Sequence, residues 1–377
     1  MENEKVETNN VIKKLKKIDK WLKIIGITAL CLMIIFTACT FIVHKVKTNK
    51  EIELLKEKGY YNPVSVGDYY LNVSMFGNEN GKHRIIGLAG NGVGEFSVTM
   101  RKVTKEFEDE NLVAFVDRSG YGFSDDKCGD MSLERITEDY RKAVINAGIK
   151  APYILMGHSM GGAYATYWES KYPEEVEAVI FVDGSQLSSD AFNEEEIYEV
   201  NARNEFLAFL AKLGFSRYVI RNYSYALPEI YSEEEQYLAD GLTYLTLDSI
   251  DTEYENSNLA VNAQKAFNEI KTNDIPKLYI SSSWGFTNEE EVIEHINWTI
   301  EQQKANNMEL SKSPEELGDG VITNFLNSCE KIREEILYPY LEKLGNCEIK
   351  LLGGDHMIYM QKPHEVAELI IDFLNNL

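Results

Sequence analysis

Cysteine and histidine are scarce in this chain. Its 377 residues include five cysteines and six histidines. Five cysteines are too few for a disulfide framework, and two of them, Cys31 and Cys39, lie in a long apolar segment. The other three, Cys128, Cys329 and Cys347, can form one disulfide at most. Because no Cys-x-x-Cys or His-x-x-x-His spacing occurs, the sequence indicates no zinc site, and we expect the protein to need no metal or other cofactor.

Basic residues are also few relative to acidic ones. The chain has 38 Lys and Arg against 61 Asp and Glu, which gives a net charge of −23 at pH 7. A charge of this sign repels phosphate backbones and anionic lipid headgroups. The composition therefore argues against a nucleic-acid partner.

One long stretch without charge lies near the amino terminus. Residues 24–43 are 20 in number and include no charged side chain. At ~1.5 Å per residue, such a helix measures about 30 Å, the thickness of a bilayer's hydrocarbon core, whereas the apolar part of a cleaved signal peptide has only about 7 to 15 residues. We therefore predict a basic cytoplasmic tail at 1–23, a transmembrane helix at 24–43 and a charged spacer at 44–62.

The orientation of this anchor follows from the lysines that flank it. They are slightly more numerous before the segment than after it, which favours a cytoplasmic amino terminus and an extracellular position for the rest of the chain. Lipidation of Cys39 is the alternative, because Phe36-Thr37-Ala38-Cys39 resembles a bacterial lipoprotein cleavage box. We favour the transmembrane helix over lipidation, because the apolar segment is long enough to span the bilayer without a lipid.

The remaining residues, 63–377, are predicted to form one α/β domain. Runs of β-branched and aromatic residues alternate with amphipathic stretches of helix length, the pattern of a mostly parallel sheet with helices on both faces. We predict eight strands, two of them in a meander within 64–75 and the others at 84–89, 112–117, 153–156, 178–182, 277–281 and 347–352. Helices are predicted at 96–108, 132–147, 162–172 and 363–374.

Two insertions interrupt this alternation. Residues 185–273 are rich in Phe, Tyr and Leu interleaved with Glu, and we interpret them as a helical cap over the carboxyl edge of the sheet. Residues 285–346 include helical patterns at 289–306 and 322–344, and form an enlarged connection that joins the cap.

A nucleophile motif follows one of the predicted strands. The pentapeptide Gly157-His158-Ser159-Met160-Gly161 stands between the apolar run 153–156 and the helical pattern 162–172. A serine on a sharp strand-to-helix turn exposes its hydroxyl, and flanking glycines let the backbone turn that tightly. The motif predicts Ser159 as a catalytic nucleophile.

A serine nucleophile needs a histidine as general base and a carboxylate to orient it. His356 is the candidate base, because it follows the last predicted strand and precedes the last helix. We favour Asp183 as the carboxylate, since it closes the strand after the nucleophile and points to the same edge of the sheet. Glu289 and Glu290, the first acids after the penultimate strand, are the alternatives.

The oxyanion formed during attack needs two backbone N–H donors. Met160, directly after the nucleophile, is predicted to supply one. The glycine-rich loop Ala89-Gly90-Asn91-Gly92-Val93-Gly94 is predicted to supply the other from Asn91. A phosphate-binding loop is the alternative interpretation of these glycines, but no Gly-Lys-Ser/Thr or Gly-x-Gly-x-x-Gly completes it.

Three blocks in this order resemble the α/β-hydrolase family, in the form with a helical cap, over about residues 64–377. They are 157–162, Asp117-Arg118-Ser119-Gly120-Tyr121-Gly122-Phe123-Ser124-Asp125, and Gly354-Asp355-His356 followed by Lys362-Pro363. Ala89-Gly90 departs from the His-Gly with which the family's oxyanion loop often starts. Some relatives place the acid where Asp183 stands. A serine nucleophile argues against the epoxide hydrolase and haloalkane dehalogenase branches.

The resemblance implies hydrolysis through an acyl-enzyme. We expect a membrane-anchored serine hydrolase that cleaves an ester, thioester or amide of a small to medium acyl substrate with Ser159, His356 and Asp183. A short-peptide aminopeptidase of the same fold is one alternative. A catalytically silent binding module at the cell surface is another, although such a module has no need of Ser159 and His356.

Overall fold

The computed structural model describes residues 2–188, 199–219, 230–305 and 308–377. Two stretches of the predicted cap, 189–198 and 220–229, and the last residue of the predicted helix 289–306 lie outside the described residues.

Eight strands form one mixed, mostly parallel sheet. They are β1 (Pro63–Ser65), β2 (Tyr70–Gly77), β3 (Arg84–Leu88), β4 (Leu112–Asp117), β5 (Tyr153–Ser159), β6 (Val176–Gly184), β7 (Lys277–Ser281) and β8 (Cys347–Leu351). The order across the sheet is β1-β2-β4-β3-β5-β6-β7-β8. β2 pairs antiparallel with β1 and β4, while β3 to β8 run parallel, so their carboxyl ends meet at one edge. The predicted fold class, an eight-stranded α/β sheet, is confirmed.

Helices cover both faces of the sheet, and each face has its own apolar core. Helices are numbered in chain order, and α1 and α6 to α12 are described below. The helices that pack directly on the sheet are α2 (Phe96–Thr99), α3 (Arg101–Thr104), α4 (Leu133–Asn146), α5 (Met160–Lys171), α13 (Ile358–Gln361) and α14 (Pro363–Asn375). One core packs against α4 and α5, through side chains such as Tyr140 and Trp168. The other packs against α2, α3 and α14, through side chains such as Phe96, Val103 and Ile370.

One predicted helix, 96–108, is broken in the structure. α2 and α3 are each one turn long. Between them Val103 N donates to Met100 O at 3.0 Å, and this spacing of three residues is that of a 3₁₀ turn rather than of an α-helix. Four residues here, Val98, Thr99, Val103 and Thr104, are β-branched, which disfavours a continuous helix. The prediction of a single helix was wrong for that reason.

Both insertions are helical. Between β6 and β7 the chain forms α6 (Ala202–Lys212), α7 (Ser216–Val219), α8 (Glu233–Leu247) and α9 (Asp251–Asn268). Between β7 and β8 it forms α10 (Glu289–Ala305), α11 (Val321–Ile332) and α12 (Tyr338–Leu344), with a π-helical turn at Arg333–Leu337. We refer to α6 to α9 as the cap.

The amino-terminal segment is one long helix, α1 (Glu2–Glu57). It is long and apolar enough to cross a membrane, and its most apolar stretch is almost entirely exposed. The helix runs without a break through the predicted transmembrane segment 24–43 and through residues 44–57 of the predicted spacer.

The carboxyl half of α1 packs against the cap. Thr40, His44, Thr48, Glu51 and Leu55 are buried, and they recur every three or four residues, which places them on one face of the helix. Two glycines of the cap allow the close approach. A Cβ atom at Gly214 would lie 2.5 Å from His44 Cβ, and one at Gly241 would lie 3.0 Å from Glu51 Cβ.

A buried ion pair stabilises this contact. The guanidinium of Arg217, on α7, donates to Glu51 Oε1 at 2.8 Å, to Thr48 Oγ1 at 2.9 Å and to His44 Nδ1 at 2.9 Å. The other ring nitrogen of His44, Nε2, lies 3.1 Å from Asp248 Oδ2, at the end of α8. The side chains of Arg217 and Glu51 are 8% and 2% exposed, so each needs the other as a counter-charge.

We predict that Glu51→Ala lowers the free energy of unfolding of the full chain by about 3 kcal/mol, because it leaves Arg217 buried without a counter-charge. Urea titration in detergent measures this. Glu53→Ala, on the exposed side of the same helix turn, is the matched control and should change that free energy by less than about 0.5 kcal/mol. Equal effects of the two substitutions would contradict the proposed importance of the ion pair.

Candidate active site

Ser159 stands at the turn where β5 passes directly into α5. Its φ of 50° and ψ of −125° are strained for a residue with a side chain. The two flanking glycines make the turn sterically feasible. A Cβ atom at Gly157 would lie 2.6 Å from Gly161 O, and one at Gly161 would lie 2.0 Å from Leu88 O. The predicted helix 162–172 therefore begins earlier, at Met160.

Asp183 and His356 meet at the same edge of the sheet. His356 Nδ1 lies 2.7 Å from Asp183 Oδ2, and Asp183 is 2% exposed. Ser283 Oγ donates to the same carboxylate oxygen at 2.6 Å, and Ser282 N donates to Oδ1 at 2.8 Å. These bonds hold the carboxylate in a single orientation toward the imidazole.

The serine lies beside this pair. Ser159 pairs with Gly184 in the register of β5 and β6, and Ser185 N donates to Ser159 O at 2.9 Å. Ser159 and His356 both line a cavity of about 590 Å³, which we call the Ser159 cavity. The sequence-predicted serine, histidine and aspartate thus come together from β5, the loop after β8 and the end of β6.

The alternative acids lie elsewhere. Glu289 and Glu290 are exposed at the start of α10, and Glu289 Oε1 accepts a hydrogen bond from Thr323 Oγ1 at 3.1 Å. Of the three carboxylates considered from the sequence, the structure places Asp183 against His356.

Burial and charge act in opposite directions on this pair. Burial lowers the pKa of His356, but the hydrogen bond to Asp183 and its negative charge outweigh burial and raise the pKa above its ordinary 6.5. Burial alone raises the pKa of Asp183, and the bonds from His356, Ser283 and Ser282 lower it below its ordinary 3.8. Asp183 is therefore ionised at neutral pH, and His356 titrates above its ordinary value.

His158, inside the nucleophile motif, is a structural neighbour of His356. The centroids of the two rings are 4.8 Å apart, and His158 Nε2 lies 3.1 Å from the backbone oxygen of His356. Because that oxygen can only accept, Nε2 is the donor. Burial, and then the charge on His356, lower the pKa of His158 to about 3. His158 is neutral at neutral pH and supports the loop that carries the base.

The glycine-rich loop after β3 forms another wall of the cavity. A Cβ atom at Gly90 would lie 2.8 Å from His158 Nδ1 and 3.0 Å from Ser159 Cβ, so only glycine fits there. Gly92 N donates to the hydroxyl of Tyr121 at 2.8 Å. Asn91 lines the cavity beside Ser159, next to the amide of Gly92 that bonds Tyr121. Met160, at the start of α5, directly follows the serine.

A buried arginine fixes the position of this loop. Arg118, in the loop after β4, donates through Nη1 to Ala89 O and through Nη2 to Gly90 O, both at 2.8 Å. Its Nε donates to Glu255 Oε2, on α9 of the cap, at 2.9 Å. Arg118 is 2% exposed and Glu255 is fully buried.

Tyrosine hydroxyls complete the hydrogen bonding of Glu255. Tyr121 donates to Oε2 at 2.5 Å and Tyr164, on α5, donates to Oε1 at 2.6 Å. The carboxylate of a single cap residue is therefore bonded to the loop after β4 and to the helix after the nucleophile. We call Arg118, Glu255, Tyr121 and Tyr164 the arginine cluster.

Sequence reasoning did not identify the arginine cluster or the serines that bond Asp183. Arg118 lies in one of the three blocks that carry the family resemblance, which is a signal for its importance. Glu255 is one glutamate among many in the cap, and no local pattern distinguishes it. Ser283 has no such pattern either. Within the described residues, no group of three or more His, Cys, Asp or Glu side chains could hold a metal ion.

Comparisons with known proteins agree on the fold. A model of the serine aminopeptidase S33 family matches residues 81–280. The chain is 26% identical to the uncharacterized protein YbdG of Bacillus subtilis (strain 168) over 364 residues, which cover 96% of this chain and 99% of that protein.

Solved structures of two dehalogenases share this fold at low sequence identity. A putative ancestral haloalkane dehalogenase, AncHLD2, is 14% identical with a TM-score of 0.54. The match covers 84% of this chain and 98% of the AncHLD2 chain. The haloalkane dehalogenase DatA of Agrobacterium tumefaciens C58 is 17% identical with a TM-score of 0.53. The match covers 84% of this chain and 96% of the DatA chain.

We predict that Glu255→Gln lowers kcat for a short acyl ester about tenfold or more with a smaller change in KM, because the glycine-rich loop shifts when Arg118 loses its counter-charge. Steady-state kinetics with the folded variant measure both constants. Glu269→Gln, at the exposed end of the same helix, is the control and should leave kcat unchanged. A rise in KM at constant kcat would contradict the assignment of Glu255 to loop positioning.

Proposed function

This chain belongs to the serine aminopeptidase S33 family and is a hydrolase of the α/β-hydrolase superfamily, and we propose that it is a membrane-anchored serine hydrolase. It cleaves an ester, thioester or amide of a small to medium acyl substrate through Ser159, His356 and Asp183. The observation that carries this proposal is the 2.7 Å contact between Asp183 Oδ2 and Nδ1 of His356, a residue that lines the same cavity as Ser159.

The reaction proceeds through an acyl-enzyme. His356, with Nδ1 bonded to Asp183, uses its other ring nitrogen to accept the proton of the Ser159 hydroxyl as that oxygen attacks the acyl carbonyl. The alcohol, thiol or amine leaves with the proton from His356. A water molecule then attacks the acyl-serine, again with His356 as base, and releases the acid. Asp183 stabilises the imidazolium at each step.

The oxyanion is stabilised by N–H groups of Met160 and Asn91. Support for Met160 is its place directly after the nucleophile at the start of α5. Support for Asn91 is its position in the cavity wall and the bonds from Arg118 that hold the preceding residues. Donors fixed before the reaction need no reorganisation when the negative charge forms, and that is the source of their catalytic effect.

The membrane anchor is the apolar part of α1, residues 24–43. Its length and composition support this, and its side chains make few contacts with the rest of the chain. Flanking lysines favour a cytoplasmic amino terminus and an extracellular active site. The substrate is a small molecule with an acyl group, and nucleic acid is not a partner.

A short-peptide aminopeptidase is the second candidate, because the matching family carries that name. An aminopeptidase needs a carboxylate for the substrate's ammonium group, and Glu253 and Asp355 both line the Ser159 cavity. Parallel assays with aminoacyl-coumarin amides and short acyl esters separate the two functions. Faster turnover of the amides would favour the peptidase.

We predict that a fluorophosphonate probe labels Ser159 in the folded full chain, because only a serine activated by a neutral imidazole reacts with it at neutral pH. Mass spectrometry of the labelled peptide identifies the site, and Ser159→Ala should abolish both the adduct and ester hydrolysis. A folded protein with no adduct on Ser159 would favour the silent binding module instead.

We also predict an acidic limb in the pH profile of kcat/KM. The base must be neutral, so activity falls as pH decreases through the pKa of His356, with an inflection above its ordinary 6.5. Asp183→Asn removes the hydrogen-bonded charge that raises this pKa and leaves the burial that lowers it. The inflection should therefore move to lower pH, and kcat should drop by at least ~10²-fold.

Glu289→Gln and Glu290→Gln are the controls for this experiment, since they remove the alternative acids. Both variants should keep the wild-type profile. An unchanged profile in Asp183→Asn, or a collapse of activity in either glutamate variant, would assign the carboxylate role to α10.

A further inference from the structure

Helix α6 of the cap presents large apolar side chains to its surroundings. Phe206, Leu207 and Phe209 are 57%, 51% and 54% exposed. We call these three residues the α6 patch. Three large apolar side chains within four positions of one helix are unfavourable in water and mark a surface that contacts something apolar.

The position of α1 indicates what this surface contacts. Phe36, within the apolar segment of α1, lies with its ring centroid 6.0 Å from that of Phe215 and 6.2 Å from that of Tyr218. Phe36 precedes Val43, the end of the uncharged segment, by seven residues, or about 10 Å along a helix. If residues 24–43 span a bilayer, Phe215, which lies between α6 and α7, and Tyr218, on α7, reach the depth of the lipid chains.

Charges on α1 fit the same placement. Lys45, Lys47 and Lys50 are exposed just beyond the uncharged segment. Lysines at this level of a membrane protein contact the phosphates of lipid headgroups. These charges fit a bilayer boundary near residue 43, a few residues beyond the part of α1 that contacts Phe215 and Tyr218.

A second cavity lies directly beneath α6. Its volume is about 270 Å³, and its lining includes Leu207, Leu210, Ala211 and Phe215. We call it the cap cavity. Leu207 lines the cap cavity and also belongs to the α6 patch, so the cavity and the patch share a residue.

The cap cavity adjoins the Ser159 cavity. Leu247, Thr252 and Glu253 line both. The shared wall is partly polar, and Glu253 Oε2 accepts a hydrogen bond from Asn204 Nδ2 at 2.9 Å. The far end of the cap cavity is apolar. An apolar chamber that ends at a polar junction beside a nucleophile matches an amphiphile with a hydrocarbon chain and a polar carbonyl end.

We propose that the cap cavity is a binding site for the acyl chain of a membrane lipid. The lipid enters from the bilayer past the α6 patch, its chain occupies the cap cavity, and its acyl carbonyl reaches Ser159. This inference rests on the proposed function and specifies its substrate class as esters, thioesters or amides that are held in a membrane and whose acyl chain extends into the cap cavity.

The first test fills the cap cavity in the full chain, reconstituted in vesicles of ether-linked phosphatidylcholine, which offers no carboxylic ester. Ala211→Trp should lower kcat/KM about tenfold for p-nitrophenyl octanoate and p-nitrophenyl laurate, and change the butyrate ester less than about twofold, since only long chains reach this cavity. Val261→Trp, exposed on α9, controls for added bulk. Equal effects on all three chain lengths would overturn the proposal.

The second test separates entry from the membrane and entry from water. The double variant Phe206→Ser/Phe209→Ser should lose about tenfold in kcat/KM for the laurate ester, which partitions into vesicles, and keep the rate for the butyrate ester, which stays largely in water. Ile145→Ser, an exposed apolar residue on α4, is the control. Unchanged laurate hydrolysis in the double variant would show that the chain arrives from water, and would overturn membrane entry.

A third measurement is independent of turnover. In Ser159→Ala protein, a lauroyl ester with a diazirine at the chain end should cross-link to peptides of α6 and of the α8–α9 junction, and Ala211→Trp should suppress that cross-link. If Ser159 takes no fluorophosphonate but the cross-link forms, the proposed function fails and the lipid site stands. If Ser159 is labelled but no cross-link forms in the cap, the lipid site fails alone.

Discussion

A buried positive charge connects the parts of the active-site wall. Arg118 is 2% exposed and bonds two carbonyls of the glycine-rich loop, while its counter-charge, Glu255, comes from the cap. A guanidinium out of water is costly unless its donors and its charge are all matched. The loop after β3, the loop after β4 and α9 must therefore assemble together. The glycine-rich loop after β3 then takes its position from the packing of the cap as well as from the sheet.

Local signals explain why much of the architecture could be predicted from the sequence. Strands such as β4 and β5 are short apolar runs bounded by turns, and the elbow at Ser159 is recognisable because strand, glycines and helix are contiguous. The helix 96–108 was predicted wrongly because periodicity there is helical while its β-branched residues resist a continuous helix. Glu255 could not be found, since its role comes from partners at positions 118 and 121, more than 130 residues away.

The carboxylate beside His356 and the groups that hold this carboxylate in place come from two neighbouring strands. Asp183 stands at the end of β6 with a φ of 44°, a value that Asp tolerates better than most residues. The loop after β7 carries no acid next to the base and supplies donors instead, through Ser282 and Ser283. A carboxylate with only His356 as partner would be free to rotate. The two serines restrict it, and that restriction was not visible in the sequence because serines are common in loops.

The helix α1 constrains the position of the cap. Its buried side chains facing the cap form a stripe from Thr40 to Leu55, and a helix turns by about 100° per residue. A change of register by a single residue would move Glu51 away from Arg217 and Leu55 out of its buried position. The buried residues of α1 between Thr40 and Leu55 thus fix the rotation of the cap about the axis of α1. The same contacts fix the position of α7 and α8 relative to α1, and the cap in turn contributes Leu247, Thr252 and Glu253 to the walls of both cavities.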